Sequence, residues 1–125
     1  MEDFLALSDL ATDPIDQFAT WYGEARQSDI VLPQAMTLAT IDARGRPTAR
    51  MVILDDFDAQ GFVFYTHYQS HKARDLAGVP HAALVFYWAA QNRQIRIEGR
   101  VEKVSPVQSD AYFARRPRDS QLSAW

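Results

Sequence analysis

Three groups of side chains in this chain have the types and spacing to bind an anion or a polar ring. The first is Arg50 with Tyr65-Thr66 and Ser70-His71-Lys72. A phosphate needs cationic donors together with hydroxyl or backbone N–H donors. Ser70 is a good N-cap, so the amides after it would open a short helix whose N-terminus attracts negative charge. Lys72 would sit in the first turn, where it opposes the helix dipole. A bound anion removes that conflict; a solvated loop carrying a scattered lysine is the plainer reading. The second group is Tyr112, Arg115, Arg116, Arg118 and Ser120. Arginines at a helix C-terminus also favour the dipole without any ligand. As a site, the group offers Arg116 as a bidentate donor and Ser120 as a hydroxyl donor. The third is Gln94, whose amide both donates and accepts. Surface glutamines are common, so it carries little weight alone.

Other chemistries find less support. His67, His71 and His81 lack metal-ligand spacing, so no metal site is expected. No phosphate-binding glycine loop and no nucleophile–base order is visible, and no catalytic residue is singled out. The run Val85-Phe-Tyr-Trp88 fits a core or a dimer interface better than a base-stacking platform.

The elements that must hold these groups are legible from pattern. Asp13-Pro14 reads as an N-cap with proline at the first helical position. Ile15, Phe18, Tyr22 and Ala25 then form an apolar stripe on a helix ending near Gln27. Strands are expected at 36–41, 48–54 and 62–66, with a glycine turn at 42–46 and a polar loop at 55–61. A short helix, His71 to Ala77, ends at Gly78. The apolar run His81 to Trp88 reads as a central strand or one buried on both faces. Gln94 to Val104 alternates as a long half-solvated strand. Ser105-Pro106 opens a helix to about Arg115. Short connections favour antiparallel pairing, and five or six such strands suggest a small closed or partly open barrel. Pattern alone does not separate it from an OB-like barrel.

The 125 residues fit one domain, 1–125, with residues 1–12 expected to be flexible. A net charge of −3 without like-charge blocks disfavours a nucleic-acid partner. The absence of cysteine excludes disulfides and thiolate chemistry. With no long apolar run and an acidic Met1-Glu2-Asp3 start, a soluble cytoplasmic protein with no membrane partner is expected.

Taken together, these segments resemble the pyridoxamine/pyridoxine 5′-phosphate oxidase family from about Pro14 to Trp125. The carrying motifs are Met36-Thr-Leu-Ala-Thr with Gly45-Arg-Pro, Ala49-Arg-Met-Val-Ile-Leu54, Gly61-Phe-Val-Phe-Tyr-Thr66 and Ser70-His-Lys-Ala73. Arg93-Gln94 and Tyr112-Phe-Ala-Arg-Arg-Pro-Arg-Asp-Ser-Gln121, closing in Ala124-Trp125, complete them, and the last is the most specific. The resemblance implies a mainly β protein with peripheral helices: an antiparallel Greek-key split β-barrel that binds flavin mononucleotide (FMN) at a homodimer interface. It places Arg50, Met51, Val52 and Ile53 along the FMN, Tyr65, Thr66, His71 and Lys72 at its phosphate, and Gln94 at the flavin. Tyr112, Arg116 and Ser120 would grip the phosphate of a B6 vitamer substrate. The implied reaction moves a hydride from C4′ of pyridoxamine or pyridoxine phosphate to the flavin, which dioxygen reoxidises to give peroxide.

Three departures from the family pattern bear on activity. Asp55 stands where the family's strand motif ends in lysine, and His71 stands where the family has arginine. The family also continues beyond the tryptophan matching Trp125, into a segment that supplies further dimer, FMN and substrate contacts. A diverged or truncated FMN-binding protein without the oxidase activity is therefore the alternative.

Overall fold

A computed structural model describes residues 13–65 and 70–103. Residues 1–12, Thr66, the helix expected at 106–115, Tyr112, Arg116 and Ser120 lie outside the described residues.

Helix α1, Pro14–Arg26, begins where the proline signal placed it, and the Asp13 carboxylate accepts from the Ile15 amide at 2.8 Å. Strand β1, Ala35–Ile41, turns at 42–46 into β2, Pro47–Asp58. The Asp42 carboxylate accepts from the Arg44 and Arg46 amides, both at 2.9 Å, and Gly45 takes φ +78°. Next come β3, Gly61–Phe64, and α2, His71–Gly78. A 3-10 turn closed by left-handed Asn92 then joins β4, His81–Trp88, to β5, Arg93–Arg100.

These strands form one antiparallel sheet in the order β3-β2-β1-β4-β5. The run β4-β1-β2-β3 is the Greek-key arrangement, because β4 returns to lie beside β1. The sheet curls as a half-barrel, with two helices against it.

Two expectations are corrected and one is resolved between its alternatives. The expected polar loop at 55–61 is mostly strand: β2 runs on to Asp58, through a bulge between Leu54 and Asp56. The bulge lets one strand absorb an out-of-step polar stretch without ending. The run His81–Trp88 is central, between β1 and β5, yet buried on one face only: Phe86 and Trp88 point inward while Tyr87 is 67% exposed. Strand β3 stops at Phe64 and β5 at Arg100, short of the expected Thr66 and Val104.

The inner face is divided. Met36, Leu38, Val52, Leu54, Leu84, Phe86 and Trp88 form its apolar part under α1, plugged by Phe18. The Phe18 ring lies within 6 Å of those of Phe57, Phe62, Phe86 and Trp88. Toward the β1–β2 turn the same face becomes polar, with Thr40, Thr48 and Arg50, and there α2 packs on β1.

Candidate functional site

The polar part of the inner face gathers charges from two elements. Strand alternation turns Arg50 inward, where its Nη1 donates to the Leu38 carbonyl at 3.1 Å and to the Thr40 hydroxyl at 2.8 Å. Its Nη2 donates to the Thr48 hydroxyl at 2.6 Å. Beneath lies Asp75 of α2, which accepts from Thr40 at 2.7 Å and from Thr48 at 2.9 Å. Arg50 Nη2 lies 3.6 Å from Asp75 Oδ2, and His71 Nε2 lies 3.4 Å from Asp75 Oδ1. Burial alone would raise the Asp75 pKa. The two hydroxyl donors and the neighbouring His71 and Arg50 outweigh it and hold the carboxyl below its ordinary range.

Helix α2 opens at this cluster. Ser70 caps it, accepting from the Ala73 amide at 3.2 Å. His71 follows with an exposed side chain and Lys72 with a partly buried one. Arg50, His71 and Lys72 therefore share one end of the molecule with a capped helix N-terminus.

The strand motif is split by its pleat. Val52 faces the core at 8% exposure, whereas Met51 and Ile53 point outward at 62% and 49%. The Val52 side chain is thus withdrawn from any ligand outside the core, and such a contact falls to its neighbours. The backbone completes this picture. The Leu54 amide donates to the Gln34 carbonyl on the β1 side. Antiparallel alternation then turns the N–H and C=O of Met51 and Ile53 toward the opposite edge. Among the described residues β3 pairs with β2 only from Leu54 onward. Among the described residues, no strand pairs with the Met51 and Ile53 backbone groups on that edge.

Gln94 lies elsewhere. It is opposite Tyr87 in the register, on the outer face with Met51 and Ile53. The sheet separates it from Arg50 and His71 of the same chain. Tyr65 is partly exposed and lines a separate apolar cavity of about 590 Å³, with Phe62, Phe64, Leu76 and Ile97. Neither Arg50, His71, Lys72 nor Gln94 borders that cavity. Asp75 is the site residue that sequence reasoning missed. Its i, i+4 spacing from His71 was visible, but nothing local announced that it would be buried.

Comparison with known proteins bears on the family and the fold. Residues 23–125 match the family described as pyridoxamine 5′-phosphate oxidase. A pyridoxine/pyridoxamine 5′-phosphate oxidase from Chromohalobacter salexigens is 55% identical over 97% of this chain, and one from Cupriavidus necator is 53% identical over 97%. The chain spans 56% and 57% of the length of these two relatives. Among solved structures, PhzG from Burkholderia lata, in complex with tetrahydrophenazine-1-carboxylic acid, superposes with a TM-score of 0.84 at 24% identity, covering 98% of this chain and 70% of PhzG. A pyridoxamine 5′-phosphate oxidase-related, FMN-binding protein from Nostoc punctiforme gives 0.72 at 22% identity, covering 92% of this chain and 64% of its own. Both likenesses concern the fold. The motif-bearing strands, the Greek-key half-barrel and the family match together establish that this chain belongs to the pyridoxamine 5′-phosphate oxidase family.

Proposed function

We propose that this chain binds FMN and takes part in oxidising pyridoxamine or pyridoxine 5′-phosphate to pyridoxal 5′-phosphate, as a cytoplasmic homodimer. The observation that carries the cofactor assignment is the juxtaposition of Arg50, His71 and the capped start of α2 with the β2 edge at Met51 and Ile53, which no described strand covers. One end of that arrangement suits a phosphate; the other presents backbone donors and acceptors to the edge of a planar ring. Bound FMN would supply hydride acceptance and reoxidation by dioxygen, the chemistry no side chain here provides. The chain's own part is to hold the phosphate through Arg50, His71 and Lys72 and to orient the ring through the β2 edge.

The same geometry supports a dimer. Gln94 and the Arg50–His71 cluster lie on opposite faces of one sheet, so a flavin touching both takes them from two copies. The outer face that carries Gln94 also exposes Met51, Ile53 and Tyr87, an apolar patch suited to self-association. Tyr112, Arg116 and Ser120 remain the residues assigned to the substrate phosphate.

A purified sample is expected to be yellow, with a flavin absorption spectrum, and to release peroxide when given pyridoxamine phosphate and air. Colourless protein that also fails to take up added FMN would exclude the assignment. A second reading, an FMN-binding protein without this oxidase activity, is favoured by Asp55 and His71, which stand where the family carries lysine and arginine. Flavin uptake without peroxide would select it.

A further inference from the structure

Asp75 joins two nitrogen-bearing side chains of the cluster, the Arg50 guanidinium on the sheet and the His71 imidazole on the helix. Its side chain is 5% exposed. Proton counting sets the direction of every bond around it. A guanidinium only donates and an ionised carboxylate only accepts. Each threonine hydroxyl therefore receives a hydrogen from Arg50 and gives its single proton to Asp75. The 3.1 Å contact between Thr40 and Thr48 is then left without a proton to share. Both hydroxyls are locked in orientation, and they lock the guanidinium in turn. Both hydrogens of Arg50 Nη1 are committed, to Leu38 and to Thr40, while the Nε edge of the fork carries none of these contacts.

We propose that Asp75 is a positioning residue for the phosphate end of the cofactor, holding Arg50 of β2 and His71 of α2 in one arrangement before the ligand arrives. The inference rests on the FMN reading above and assigns to that site a residue which itself bears the ligand's own charge. An arginine side chain loses much rotamer freedom when it grips a ligand. Ordering it beforehand removes that cost from binding. Asp75 also fixes α2 to the sheet through Thr40 and Thr48, so the helix N-terminus and Arg50 keep a constant separation.

The test compares FMN with riboflavin, which lacks the phosphate, by fluorescence titration of the apoprotein at pH 7.5. The ratio of their dissociation constants isolates the phosphate end. Asp75→Asn can keep one oxygen acceptor for both hydroxyls while removing the charge and setting an amide NH2 where Oδ1 faced His71; Asp75→Ala removes every acceptor. We expect the preference for FMN over riboflavin to fall at least fivefold in Asp75→Asn and further in Asp75→Ala. A purely structural role would weaken both flavins together and leave the ratio unchanged, which overturns the proposal. A ratio that rises also overturns it, since Asp75 would then act only as a repelling charge. If Asp75→Ala does not fold, Asp75→Asn decides. A readout without flavin separates this from failure of the cofactor assignment. The Arg50 Nε–H signal should show a rigid side chain by NMR relaxation in the wild type and a mobile one in Asp75→Asn. Equal rigidity in both would overturn the proposal whether or not flavin binds.

Discussion

At the scale of single residues, the acid side of the pH range reports on Asp75. Its folded pKa lies below the ordinary 3.8, so its contribution to stability is complete above the ordinary value and is lost as pH falls through the lowered one. The wild type is expected to melt at a higher temperature than Asp75→Asn near neutrality. That gap should close as pH drops below about 4, where carboxylates take up protons. Thermal melts of both proteins from acid to neutral pH check this, and a gap that widens in acid would contradict it. Asp55 gives a second prediction. It is partly buried beside the bulge in β2, where the family motif carries lysine. A charge-assisted hydrogen bond contributes about 1.5–3 kcal/mol, so Asp55→Lys is expected to tighten FMN roughly tenfold or more. Titration with FMN measures it, and an unchanged affinity would count against a phosphate-facing role for this position.

At the scale of elements, α1 is the part whose removal should cost most. Phe18 is 3% exposed and meets aromatic rings from β2, β3 and β4, so one side chain seals the apolar half of the sheet. Phe18→Ala is expected to lower stability by about 3–5 kcal/mol, read by urea denaturation. A loss of under about 1 kcal/mol would mean the helix is dispensable to the core. The helix is also tied down at its far end, where Arg93 pairs with Glu24 and its guanidinium lies 4.7 Å from the Trp21 ring centroid. Much of this level was legible in advance. Proline, N-cap and apolar spacing located α1 and α2 almost to the residue, because those signals act within one helical turn. The extension of β2 through Asp55–Asp58 was not, because its polar residues look like a loop. Cross-strand pairing with β3 and an internal bulge overrode that local preference.

At the scale of the whole molecule, the apolar patch on the outer face and the position of Gln94 make association testable. The double change Met51→Asp with Tyr87→Asp sets charges into a proposed interface without touching the core. It is expected to convert dimers to monomers in sedimentation velocity and to release flavin in the same step. Monomers that keep flavin would show that one chain holds the cofactor alone, and undisturbed dimers would place the interface elsewhere.

Residue type and spacing alone indicated antiparallel strands, both helix starts and the candidate donors Arg50, His71 and Lys72, and the motifs those stretches carry gave the resemblance to the family. These follow from periodicities and motifs carried in short stretches of chain. Tertiary structure decided how those residues are divided. The pleat sends Arg50 and Val52 to one face and Met51 and Ile53 to the other. The curl of the sheet then brings α2 against β1 and β2, burying Asp75 between Thr40, Thr48 and Arg50. No local pattern encodes that contact, because it joins residues 27 and 35 positions apart in sequence. Whether a carboxylate in an eight-residue helix is solvated or holds an arginine in place depends on what the sheet sets opposite it.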